Sequence, residues 1–155
     1  MCFPSIVRSL ESIPAELTIE ERLCPDQYVG QLGDLTNKKE ITLRTTAECR
    51  PDVDGLLLVL ESPHINEFRG SPAPARGKTG LNIARYLRGV LGSRAKDNSA
   101  VILVNAVQYQ CSLGRPTKDF RDEVFCAVWK DGGREDFMAR VKELYRPGDI
   151  VVCCC

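Results

Sequence analysis

The sequence predicts an α/β fold, a three-layer α/β/α arrangement with a central, mostly parallel sheet, and three observations carry that expectation. Leu56-Leu57-Leu58-Val59-Leu60 is an unbroken apolar run, the pattern of a strand buried on both faces. Val101-Ile102-Leu103-Val104 repeats it, and Ile150-Val151-Val152-Cys153 begins a third such run. Segments of helical period separate them, so the order is strand, helix, strand, helix, helix, strand, the alternation of a parallel sheet covered on both faces.

Taken in order, residues 1–37 hold short, weakly helical pieces, Ile6 to Leu10 and Ile19 to Leu23, broken by Pro4, Pro14 and Pro25. They read as an irregular cap on the sheet. Ile41-Thr42-Leu43-Arg44-Thr45-Thr46 alternates apolar and polar residues, which fits an edge strand. Arg50 to Gly55 reads as the turn before the central strand, with a hairpin as the expected pairing. Thr79 is placed to cap a helix in which Ile83, Ala84, Leu87, Val90 and Leu91 recur at helical spacing, ended by Gly92. Thr117 is placed to cap the next, striped by Phe120, Val124, Ala127 and Val128. Phe137, Val141 and Leu144 mark a third helix, which Pro147-Gly148 closes.

With 155 residues, 43% hydrophobic and 27% charged, the chain is expected to be one domain over 1–155. Residues 1–54 form its cap and edge strand, and residues 55–155 its core. No apolar run approaches the roughly 18 residues that span a bilayer, so no membrane partner is expected. Eight cysteines without a secretory leader point to a reducing, cytoplasmic compartment. No C-x-x-C pair occurs and His64, the single histidine, is far from every cysteine, so neither a metal nor any other cofactor is expected. The cysteines read instead as small core residues, with the last three exposed.

The net charge of zero hides an uneven distribution. Between Glu67 and Asp97 there is no acidic residue, while Arg69, Arg76, Lys78, Arg85, Arg88, Arg94 and Lys96 all fall there. Such a segment suits phosphate or nucleic acid, whereas Arg85, Arg88 and Lys96 also fit a solvated helix face and its exit.

The chemistry-bearing residues follow the strands. The first central run empties into Glu61-Ser62-Pro63-His64 and a Gly/Pro-rich loop, and the second into Asn105, Gln108 and Tyr109. Polar groups at the ends of two such strands suggest one shared pocket. His64 belongs to the residue type best suited to proton transfer near neutrality, and also fits a loop-stabilising role. Glu61 and Glu67 flank the loop as candidate bases. Asn105 offers one donor and one acceptor, the complement of a pyrimidine edge, or else stabilises a turn. Gly77-Lys78-Thr79-Gly80 is similar to the end of a P-loop. However, Pro72 stands where that motif's first glycine belongs, which leaves only a looser anion site at Lys78 and Thr79. Ser62 lacks the G-x-S-x-G frame of a serine nucleophile.

In order and spacing, Leu56 to His64, Leu81 to Leu91 and Val101 to Val107 resemble the uracil-DNA glycosylase superfamily. There a buried strand enters a short water-activating motif, a loop and helix follow, and a second strand ends in an Asn that binds the base. The resemblance runs from about residue 55 onward. It implies hydrolysis of the N-glycosidic bond of a flipped damaged base such as uracil, with DNA as the partner. Asn105 would read the base, Phe68 or Tyr109 would stack on it, Glu61, Ser62 and His64 would form the catalytic group, and Arg69, Arg76, Lys78 and Thr79 would hold phosphates. Ser62 stands where many members carry Asp or Asn, so Glu61 or His64 would take over the carboxylate's work. The family's last strand and His-bearing loop would fall beyond Cys155, which reads as a shortened member of a longer family. Two other classes fit the same residues: a non-catalytic nucleic-acid or nucleotide binding domain, and an inactive, truncated relic.

Overall fold

In the computed structural model, which describes residues 2–36, 41–42, 44–113 and 119–154, the apolar runs form adjacent strands of one mixed five-stranded sheet. The elements in chain order are α1 (Phe3–Arg8), β1 (Gln27–Gln31), α2 (Leu32–Thr36), β2 (Thr45–Thr46), β3 (Gly55–Leu60), α3 (Lys78–Leu91), β4 (Ala100–Asn105), α4 (Arg121–Val128), α5 (Arg134–Leu144) and β5 (Ile150–Cys153). The sheet order is β2-β1-β4-β3-β5. Strand β3 runs parallel to both β4 and β5, while β1 is antiparallel to β4 and to β2.

Every residue of β3 and β4 is buried, as continuous apolar strands require. Their side chains alternate between two cores. Leu56, Leu58, Leu60, Val101 and Leu103 pack with Ile83, Ala84, Leu87 and Leu91 of α3 and with Leu32 and Leu35 of α2. Leu57, Ile102 and Val104 point the other way, against Phe137, Val141 and Leu144 of α5. A third cluster joins Phe3 and Val7 of α1 to Val124 and Val128 of α4 and to Val107, just past β4.

Several expectations are corrected. The segment 19–22 is irregular rather than helical, with the Arg22 N–H turned back to the Glu20 carbonyl, and Leu23 bridges to Tyr109. Among the described residues, the strand expected over 41–46 is reduced to Thr45–Thr46, and its partner is β1, not β3. Arg44 instead turns its guanidinium to the carbonyls of Ile41, Pro74 and Ala75. Strand β1, which begins and ends on glutamine, is held by β4 across a bulge between Tyr28 and Gly30. Helix α3 is capped by Gly77, and Thr79 sits one residue inside its start. The Thr117 cap and Leu43 lie outside the described residues. Cys24 and Cys111 are buried, but Cys2, Cys49 and Cys126 are exposed together with Cys153 and Cys154, so burial does not unite the cysteines.

Helix α3 meets the loop before it at one close approach. A Cβ on Gly80 would stand 2.1 Å from the Ala75 carbonyl oxygen, and Ala75 is itself in the left-handed region at φ 56°. Backbone on both sides leaves little room to relax. Gly80→Ala is therefore expected to destabilise the protein by about 2–3 kcal/mol, read as a lower urea midpoint at unchanged slope. A midpoint equal to wild type would mean that the loop moves freely away from the helix.

Candidate active site

A cleft of about 360 Å³ opens at the carboxyl ends of the parallel strands, where an open α/β sheet leaves a crevice. Its walls bring together Glu61, Ser62, His64, Glu67, Asn105 and Arg121, with Thr79, Ser112 and Cys154 completing them. The two strand ends meet because Leu60 and Asn105 are register partners. The pairing continues past the strands, with the Ala106 N–H donating to Leu60 at 2.7 Å and the Val107 N–H to Glu61 at 3.0 Å.

Asn105 is 1% exposed, and neither Nδ2 nor Oδ1 finds a hydrogen-bond partner in the protein. The Cys24 thiol lies against the amide, but burial pushes that thiol up to about 12, so it stays a neutral and weak partner. Buried amides are nearly always satisfied, so one left open in a cleft wall is suited to a ligand. Its main chain is fixed from behind. Arg140 Nη2 donates to the Asn105 and Ala106 carbonyls at 3.1 and 3.3 Å, while Nη1 grips both oxygens of buried Asp26 at 3.0 and 2.7 Å.

The loop after β3 is ordered by a capping box around a single 3₁₀ turn, Ile65–Phe68. His64 Nδ1 accepts the Asn66 N–H at 3.2 Å, which assigns the proton of the neutral ring to Nε2. Glu67 Oε2 accepts the His64 N–H at 3.2 Å, and Oε1 accepts the Ala75 N–H at 2.7 Å. Glu67 is 7% exposed. Burial pushes its carboxyl up to about 7, against the opposing pull of these main-chain donors and of Arg44. A buried group poised near neutrality in a cleft wall has the character of a general acid or base. Burial likewise pushes the Cys111 thiol up to about 12, and this thiol donates to the Tyr109 carbonyl at 3.6 Å.

Glu61 does not stand free. Its Oε1 lies 3.2 Å from Arg121 Nε, and the same nitrogen meets Asp122 Oδ1 at 3.0 Å. Arg121 escaped the sequence reading, since its position at the start of α4 looks like an ordinary helix charge. Glu67 was visible there only as a flanking carboxylate.

Apart from Thr79, the other candidates lie elsewhere. Tyr109 stacks on Phe3, with centroids 4.7 Å apart, and lines a neighbouring hollow with Leu23, Asp131 and Asp136. Phe68 is half-buried beneath the Arg22 guanidinium, at 6.0 Å, and does not line the cleft. Of the proposed phosphate holders, Thr79 lines it, Arg69 and Lys78 are exposed, and Arg76 donates to the Arg69 carbonyl and lines a separate hollow beside Arg44. Within the basic segment Arg88 pairs with Asp97 and Lys96 with Asp54, which favours a solvated helix face for those two. Among the described residues no three His, Cys, Asp or Glu side chains gather as metal ligands, and no helix is long and apolar enough to cross a membrane.

Compared with protein-family models, curated proteins and solved structures, the chain matches none. The likeness to uracil-DNA glycosylases therefore rests on residue order and spacing.

Proposed function

We propose that the chain is a glycosylase-like hydrolase on a three-layer α/β/α scaffold, taking a flipped damaged base such as uracil into the cleft and hydrolysing its N-glycosidic bond. The observation that carries this reading is the open amide of Asn105. A uracil edge presents an N–H donor beside a carbonyl acceptor, the complement of Oδ1 and Nδ2. An amide that recognises a base this way is left unpaired by a ligand lacking that edge, which is the source of its selectivity.

The reaction adds water at the anomeric carbon while the base departs with the bonding pair. In the oxocarbenium-like transition state positive charge builds on the sugar and negative charge on the base. Glu61 is the carboxylate suited to the first of these, or to taking the water's proton. His64 Nε2–H is the donor suited to the second, and Glu67 is a second site for the proton at neutral pH. Ser62 and Ser112 supply hydroxyls to the same walls. Thr79 in the cleft wall, with Lys78 beside it at the head of α3, suits a neighbouring backbone phosphate, and Arg69 and Arg76 suit the flanking DNA backbone.

The test is release of free base from single- and double-stranded oligonucleotides carrying uracil or hypoxanthine, comparing wild type with Asn105→Ala and His64→Ala. Each substitution is expected to lower the rate by roughly 10²–10³-fold with the fold intact. Release indifferent to Asn105→Ala would remove the centrepiece of this reading. Salt-dependent binding of oligonucleotides without release would identify a binding domain instead, and neither binding nor release an inactive relic.

A further inference from the structure

We infer that Arg121 is a phosphate clamp whose ion pair with Glu61 holds that carboxylate back until a phosphate-bearing nucleotide takes its place. The inference rests on the reading of the cleft as a base site and adds the class of substrate: a nucleotide with its phosphate rather than a nucleoside or a free base.

The argument starts from how Arg121 is used. A guanidinium has five N–H donors, and here both acidic partners, Glu61 and Asp122, meet the single Nε. Among the described residues, Nη1 and Nη2 donate no hydrogen bond, the one from Arg121 leaving Nε for Asp122. These two nitrogens form the edge that accepts a phosphate bidentately, and the side chain is 43% exposed at the cleft wall. Arg121 is also the first residue of α4. The helix enters through Phe120 in the left-handed region at φ 60°, without a side-chain cap, but Asp122 and Glu123 in its first turn offset the pull of its open N–H groups on an anion, so the guanidinium edge carries the site.

Glu61 is the competitor. It carries the carboxylate best placed to serve an attacking water, yet in this state its Oε1 is engaged by Arg121 and its charge is partly neutralised. A phosphate at Arg121 is a stronger, more highly charged partner, and it displaces Glu61 back toward the cleft. Asn105, 1% exposed and with only the weak Cys24 thiol against its amide, marks the same cleft as a ligand site independently of Arg121. The two residues therefore divide the substrate between them, base to Asn105 and phosphate to Arg121. No covalent step is involved, only exchange of one anion for another at a cation.

The experiment is calorimetric titration at low salt of wild type, Arg121→Gln, Asn105→Ala and Glu61→Gln with dUMP, deoxyuridine and inorganic phosphate. A uracil-containing oligonucleotide distinguishes a backbone phosphate from a free nucleotide. Wild type is expected to prefer dUMP to deoxyuridine by about tenfold or more, a preference that Arg121→Gln abolishes while leaving deoxyuridine within about twofold. Asn105→Ala should weaken both ligands alike and keep the preference. Glu61→Gln should tighten dUMP severalfold, because the phosphate no longer competes with a carboxylate, a signature that a merely structural ion pair would not give. Equal binding of dUMP and deoxyuridine, or a preference that survives Arg121→Gln, overturns the clamp while the base reading stands. Phosphate bound through Arg121 with no nucleoside binding overturns the base reading and keeps the clamp. Binding of none of the ligands overturns both.

Discussion

Asp149→Asn is expected to destabilise the protein by about 3–5 kcal/mol, because it leaves the Arg50 guanidinium charged, buried and without its counter-ion. The side chains of Arg50 and Asp149 are 1% and 0% exposed, joined by two parallel hydrogen bonds of 2.7 and 2.8 Å. Arg50 also donates to the Leu144 and Val53 carbonyls, and Asp149 accepts the N–H groups of Gly55 and Arg146. One pair thus fastens the start of β3 to the end of α5 and the start of β5. Gly55 is a glycine because a Cβ there would lie 2.9 Å from Arg50 Nη1 and 3.0 Å from Asp149 Oδ1.

The pH dependence of the same pair has a definite sign. Burial alone would raise the Asp149 carboxyl, but Arg50 and the two main-chain donors outweigh it and hold the group below the usual carboxylate range. A carboxylate held low contributes stability above its unfolded value of about 3.9, and that stability fades as pH falls through the lower folded value. Denaturant unfolding at pH 7 and in strong acid should therefore show the gap between wild type and Asp149→Asn closing only below about pH 4. A gap under about 1 kcal/mol at pH 7 would show that the pair contributes no more than a surface ion pair.

Arg140→Met is expected to lose a comparable amount, about 3–5 kcal/mol, and to weaken base binding as well. Arg140 neutralises Asp26 and is the donor that holds the Asn105 and Ala106 carbonyls, so its removal frees the segment carrying the Asn105 amide. Burial raises the Asp26 carboxyl even with Arg140 beside it. Without Arg140 that group favours its protonated form more strongly. A raised carboxyl gives stability that is present at low pH and lost as pH rises through its folded value, so the variant should fall further behind wild type at pH 8 than at pH 5. Adding Asp26→Asn should recover much of the loss, since the orphaned charge is then gone. Failure of the double variant to recover would assign the effect to the carbonyl contacts instead.

What the sequence disclosed follows from how local each signal is. Strands β3 and β4 are buried on both faces, so their apolar runs are unbroken and self-evident, and the groups at their ends had to converge once the strands were parallel neighbours. Glu61, Ser62, His64 and Asn105 meet in one cleft for that reason. Tyr109 follows the same strand, but the chain turns, and its ring goes to Phe3. Arg121 reaches the cleft from α4, a placement set by packing of α1 and α4 that no local spacing encodes. The raised carboxyl of Glu67 depends on its burial in the folded loop, again a tertiary matter. The charge run left two readings of Arg88 and Lys96 open, and only the fold supplies the Asp97 and Asp54 partners that favour the solvated face.

The antiparallel partner of β4 has a bearing on how the chain assembles. Tyr28 pairs with Ile102 and Gln27 with Leu103, so β1 is synthesised long before the strand that completes it. During that interval it is an unpaired edge, open to the same strand of another molecule. Gln27, Gln31 and the glycine at position 30 disfavour such pairing, so the same residues that hide β1 from a reading of the sequence make its early edge a poor template.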